Sequence, residues 1–258
     1  MSQTKTAGIP FARLVKVEFR KMVDTRAGLW LLIVTAAITA LAMFIAAIVS
    51  ITQDTEISFN AYLMTCAYTS GILLPVLGIM LVTQEWGQRT GMVTFVLEPR
   101  RSRVILAKLV TGVLLAWLVV LLAFLVAALS NVIAALGRGA SPSWDLDWHF
   151  VFAFLFGQTF AMLVGFALAA LLLNTPAAIV LFFVATFVLP VVISTVSLTV
   201  WKGLGTAQPW FDYSISQSHL MLNEMTGERW AQLGVTTALW VVLPVVLGVL
   251  RITRAEVK

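Results

Sequence analysis

Between Arg26 and Asp54 the chain carries no charged residue, and five further apolar stretches of comparable length follow. A helix needs about 20 apolar residues to cross hydrocarbon, because every backbone N–H and C=O has to be satisfied inside the segment. The pattern predicts spans over Leu29–Ile51, Ala61–Thr83, Val104–Leu136 (interrupted only by Lys108 near its start), Phe150–Leu173, Ala177–Val200 and Ala231–Leu250. The fourth and fifth form one apolar stretch about twice as long as a span requires, divided by Asn174-Thr175-Pro176. Proline lacks the amide donor and clashes with the preceding turn, so a tight helical hairpin is predicted there. The expected fold is an all-α membrane protein with six transmembrane helices. Composition agrees: 60% of the 258 residues are hydrophobic and 11% charged, against about 25% charged in soluble domains.

Charge placement predicts orientation, since Lys and Arg concentrate in cytoplasmic segments. Six precede the first span, five lie between Arg89 and Lys108, and three follow the last span, which places fourteen on one side. Only Arg138, Lys202 and Arg229 fall on the other. Both termini are expected in the cytoplasm and the chain in the cell membrane. Seven of the twelve acids, Asp212 among them, fall in the outer loops, and no charged residue lies at the middle of a predicted span. The domain reading is a cytoplasmic segment 1–26, a membrane domain 27–250 and a cytoplasmic tail 251–258. The N-terminal segment lacks the short apolar stretch and cleavage site of a secretory signal.

Three regions outside the spans carry information. From Pro10 to Asp24, Phe11, Leu14, Val15, Phe19 and Met22 share one helical face, with Arg13, Lys16, Arg20 and Asp24 opposite. A basic amphipathic helix ahead of a span is expected to lie in the headgroup plane. The cytoplasmic loop 84–103 combines charges with the apolar patch Met92, Val93, Phe95, Val96 and Leu97, too short to span. It fits a partner-docking surface and equally a segment resting on the bilayer. The outer loop 201–230 sets Trp201, Trp210, Phe211 and Trp230 among polar residues, as an interfacial aromatic belt does.

The run Glu85, Arg89-Thr90, Pro99-Arg100-Arg101, Arg103 and Ala107-Lys108 resembles the cytoplasmic loop of ABC-2 type transporter permeases, and Thr94–Arg101 is similar to permeases common in actinobacteria. The order Arg89-Thr90-Gly91 departs from the glycine-before-threonine order commoner in that family. The resemblance implies that Glu85, Arg89, Thr90, Pro99, Arg100 and Arg103 belong to a coupling segment docking on a separate cytoplasmic ATPase. It implies that the interfacial helix, with Phe11, Arg13, Lys16 and Arg20, braces that subunit. A second permease copy, identical or paralogous, would complete the pathway. Short re-entrant helices with Trp201, Trp210 and Phe211 would form an outer gate.

No Gly-x-x-x-x-Gly-Lys-Ser/Thr motif occurs, so ATP hydrolysis is expected in a partner and not in this chain. His149 and His219 are the only histidines, and Cys66 is the single cysteine. No catalytic residue, cofactor, metal or nucleic-acid partner is expected. Thr65, Tyr68, Ser70, Gln158, Thr159, Ser194, Thr195 and Ser197 are polar and within spans; such groups line pathways or, more often, bond helix to helix. The expected function is the permease half of an exporter of apolar or amphipathic solutes. The alternative is a secondary transporter or channel needing no ATPase, and the residues for an embedded enzyme are not found.

Overall fold

The computed structural model describes residues 9–87 and 100–254, which contain no β-strand. A short helix α1 (Phe11–Asp24) precedes α2 (Arg26–Thr52), α3 (Phe59–Gly87), α4 (Arg101–Gly137) and α5 (Trp148–Leu172). The fifth span, Thr175–Thr199, consists of α6 (Thr175–Phe183), a π turn (Val184–Val188) and α7 (Leu189–Thr199). Then come α8 (Gly203–Ala207), a 3-10 turn (Gln208–Trp210) and α9 (Tyr213–Met221). The sixth span combines α10 (Gly227–Thr237), a π turn (Ala238–Val242) and α11 (Leu243–Arg254). All six are long and apolar enough to cross a membrane, and the chain is a multi-pass membrane protein with both described ends on one face.

The hairpin forms where Asn174-Thr175-Pro176 predicts it. Leu173 closes α5 in the left-handed region at φ 53°, and Asn174 Oδ1 accepts from the Ala177 amide at 3.0 Å, capping α6. The last two spans depart from the plain helices expected. Each π turn ends two residues before a proline, Pro190 and Pro244. Proline supplies no N–H to the carbonyl four residues back, here Thr186 and Trp240, and its ring crowds that carbonyl. One widened turn accommodates both effects.

The core lies between α3 and α5. Of the most apolar stretch of each, 61% and 56% of residues are buried, against 22% for α2 and 17% for the fifth span. The two backbones touch through reciprocal glycines: a Cβ on Gly165 would lie 2.1 Å from the Pro75 carbonyl oxygen, and one on Gly78 2.5 Å from that of Met162. Small residues permit such approach, and packing drives association where lipid removes most of the hydrophobic drive between helices. Helix α1 packs across the start of α4 and beside α2. Arg13, Lys16, Arg20 and Asp24 are exposed as the wheel predicts, and Met22 is buried. The stretch bearing Glu18 and Met22 faces protein, so only part of the apolar face, with Val17 and Val23 beside it, is left to lipid.

Candidate functional site

Glu18 sits inside the apolar face of α1 at helical spacing from Val15 and Met22, and it is 4% exposed. It meets Lys21 one turn on, Glu85 near the end of α3 and Lys108 two turns into α4. The Lys21 ammonium lies 2.7 Å from Glu18 Oε1 and 2.6 Å from Glu85 Oε1. The Lys108 ammonium lies 2.5 Å from Glu18 Oε2 and 3.4 Å from Glu85 Oε2, and donates to the Leu81 carbonyl at 3.1 Å. Each cation bridges both carboxylates, and each carboxylate divides its oxygens between both cations. Burial alone would lower the pKa of Lys21; Glu18 and Glu85 outweigh it and hold the ammonium above its ordinary 10.5.

This square of two carboxylates and two ammonium groups straddles the two roots of the predicted coupling loop. Glu85 lies two residues before α3 ends, and Lys108 seven residues after α4 begins. Arginines tie neighbouring chain ends to the same region. Arg103 donates to the Ile9 carbonyl at 2.8 Å, just ahead of α1, and Arg101 to the Ile252 carbonyl at 2.9 Å near the end of α11. Arg251 donates to the Leu171 carbonyl near the end of α5. Cations at C-terminal carbonyls also suit the helix dipole.

Of the predicted loop positions, Glu85 and Arg103 are therefore built into the bundle, and Arg100 is exposed at the cap of α4. Arg89, Thr90 and Pro99 lie outside the described residues. Phe11 is half-buried. Glu18 and Lys21 were missed, although an acid in the middle of an apolar stripe was a visible signal.

The loop 201–230 folds into short helices, and it penetrates further into the bundle than its sequence shows. The Tyr213 ring lies 5.2 Å from that of Phe160 and 5.7 Å from that of Trp240, and its hydroxyl lies 2.5 Å from Thr186 Oγ1. Phe160 and Trp240 are the central residues of α5 and the sixth span, and Thr186 is one residue from the centre of the fifth. Tyr213 thus sits at mid-depth among three spans, and both π turns contact it. Trp240 Nε1 donates to the Phe211 carbonyl at 2.6 Å, fastening the loop. Phe211 contributes its backbone there, while Trp201 stays 64% exposed and Trp210 37%.

Asp212, counted above among outer-loop acids, comes to mid-depth beside Tyr213 and is buried. Residues far apart along the chain create this position, so hydropathy cannot register it. One carboxylate oxygen accepts from the Ser214 amide and the other from Gln208 Nε2, both at 3.0 Å. Gln208 also bonds Ser194 Oγ at 3.3 Å. No ion pair to Asp212 forms among the described residues. We expect Asp212→Ala to loosen α9 by about 1–3 kcal/mol, through the lost cap and the lost hydrogen bond from Gln208 Nε2. Asp212→Asn, an equally good cap, should stay close to the parent. Amide hydrogen exchange across residues 213–221 reads the difference; equal protection in both variants would refute it.

His149 Nε2 lies 2.6 Å from the Leu220 carbonyl, joining α5 to the end of α9. Cys66 is a buried packing residue. Most span hydroxyls bond back into their own helix, as Thr65, Ser70 and Thr195 do. Gln158 instead bridges to the Ala67 carbonyl at 2.9 Å, and Thr159 lies 3.2 Å from Trp117 Nε1. Neither a family model nor a curated protein matches this sequence.

Proposed function

We propose that this chain is the membrane subunit of an exporter driven by a separate phosphate-loop ATPase, of the ABC-2 type that the segment around Glu85–Lys108 resembles. The observation that carries the reading is the four-charge square. A subunit pushed from outside must pass displacement from its docking segment into its spans without slack. The square fixes the roots of α3 and α4 and the amphipathic α1 to one another, at the two ends of the segment proposed to receive the push. The face holding both termini would then be cytoplasmic, as the Lys and Arg distribution implies. A second copy is expected against the poorly buried spans, and the fifth, with Val191 65% exposed, is the first choice.

Purification of the tagged chain in mild detergent from its native cells, with mass spectrometry, tests this. A phosphate-loop ATPase should co-purify in stoichiometric amount. Arg100→Glu, at an exposed position, should cut that recovery and ATP-dependent export by at least about tenfold, the scale of a lost interfacial charge contact, with insertion unchanged. Arg103→Glu should do the same and also free the start of α1 from its Ile9 anchor. Undiminished export in both variants, or a stable chain with no ATPase, would overturn the proposal. One observation favours the ion-coupled alternative: an ionisable residue at membrane depth marks proton and ion paths in carriers, and Asp212 occupies such a place. Transport that runs without ATP and stops in Asp212→Asn would establish that alternative.

A further inference from the structure

A cleft of about 490 Å³ opens between α3, α5, the π turn of the fifth span and α9. That volume falls in the range of about 300–1,000 Å³ typical of small-molecule sites. Gly71 and Gly157 leave room for it: a Cβ at either would already stand 3.6 Å from the amide of Gln158 or Gln217. Tyr68 and Leu222, each 60% exposed, stand at its mouth. The walls are chiefly apolar, and no charged residue lines them.

Two lining amides are incompletely satisfied. Gln158 is 3% exposed; its Nε2 donates to Ala67 O, which assigns the amide orientation, and its buried Oε1 has no partner. Gln217 Nε2 is likewise buried without an acceptor. Each is a polar group left without a partner, and a turn of either side chain toward the cleft it lines would offer the occupant one acceptor and one donor. Tyr213 OH, by contrast, is already engaged by Thr186.

We propose that this cleft is a binding site for an uncharged, mainly apolar small molecule that donates a hydrogen bond to Gln158 and accepts one from Gln217. A charged ligand would lose its hydration here with no counter-charge in return, which also disfavours a phospholipid headgroup. That the occupant is the exported cargo rests on the function proposed above; binding itself does not.

The test is fluorescence titration of the full chain in nanodiscs with two matched probes. Dansyl-decylamide is uncharged and carries a sulfonamide N–H and two sulfonyl oxygens; 11-(dansylamino)undecanoic acid has a similar body ending in a carboxylate. The first should give saturable enhancement over empty nanodiscs, and the second should bind at least about tenfold more weakly. Gln158→Leu should weaken the neutral probe by about two- to tenfold, the range one hydrogen bond supports. Ser218→Trp fills the cleft from an exposed position without disturbing the core, and should weaken it at least as much. Leu121→Ala, on a lipid-facing surface of α4, should change nothing. Lack of a saturable component, equal binding of both probes, or full affinity in both cleft variants would overturn the site. No ATPase is present, so binding without ATPase co-purification would keep the site and remove the exporter, and the converse would do the reverse.

Discussion

Lys108→Met is expected to destabilise the protein by about 3–5 kcal/mol, the cost of breaking a buried charge pair from one side. Lys108 is 6% exposed, and it faces Glu18 and Glu85, themselves 4% and 7% exposed. Its removal takes an ammonium from both buried carboxylates, 2.5 Å from Glu18 and 3.4 Å from Glu85, and the Leu81 carbonyl also loses its Nζ donor. Neutralising a carboxylate as well, in Lys108→Met with Glu18→Gln, should recover much of the loss, because Glu18 is the carboxylate closest to the Lys108 ammonium, at 2.5 Å. Lys21→Met should cost less than Lys108→Met, since that side chain is 35% exposed and water replaces part of what it supplies. The measurement is the unfolding midpoint of these three variants and of Glu18→Gln alone in one detergent, with Lys108→Met and Glu18→Gln read as a double-mutant cycle. A Lys108→Met protein within about 1 kcal/mol of the parent would show that the square carries little energy. The sign of the pH dependence follows from Lys21. Its pKa is raised in the folded state, so its contribution is fully present below the ordinary value of 10.5 and is lost as pH rises through the folded one. This limb therefore fails only under strongly alkaline conditions.

The square also shows where sequence reasoning reaches its limit. The six spans were legible because apolarity is a local property, and Asn174 and Pro176 mark their own hairpin. The exposed face of α1 was legible through Arg13, Lys16, Arg20 and Asp24. Glu18, on the opposite face, goes unread in the sequence, because its partners Glu85 and Lys108 lie 67 and 90 positions on and no local pattern links them. The π turns had a local sign in Pro190 and Pro244, but only the structure shows that both contact Tyr213. Asp212 misled for a related reason: hydropathy places a residue by its neighbours in sequence, while depth is set by the helices that surround it. Gln158 was noticed as a polar span residue, yet its orphaned oxygen depends on Gly71 and α9 leaving space beside it.

Gly165→Ala is expected to disrupt the bundle. The added Cβ would lie 2.1 Å from the Pro75 carbonyl oxygen and 2.8 Å from its carbon, and backbone on both sides leaves no flexible side chain to yield. Pro75 cannot retreat by sliding along α3, because Gly78 meets the Met162 carbonyl one turn further on. The α3–α5 pair must separate, and it holds the most buried stretches of the bundle. Overpacking of a rigid site costs about 1–3 kcal/mol and can exceed that; loss of monodisperse protein in detergent is the expected outcome. Gly234 supplies the opposite sign. It lies inside α10 with nothing within 4 Å of a built Cβ, so Gly234→Ala should stabilise by about 0.5–1 kcal/mol through helix propensity alone. The two substitutions add the same methyl group to helical glycines of one chain, and midpoints that shift together would mean that the close α3–α5 crossing is not what holds the bundle.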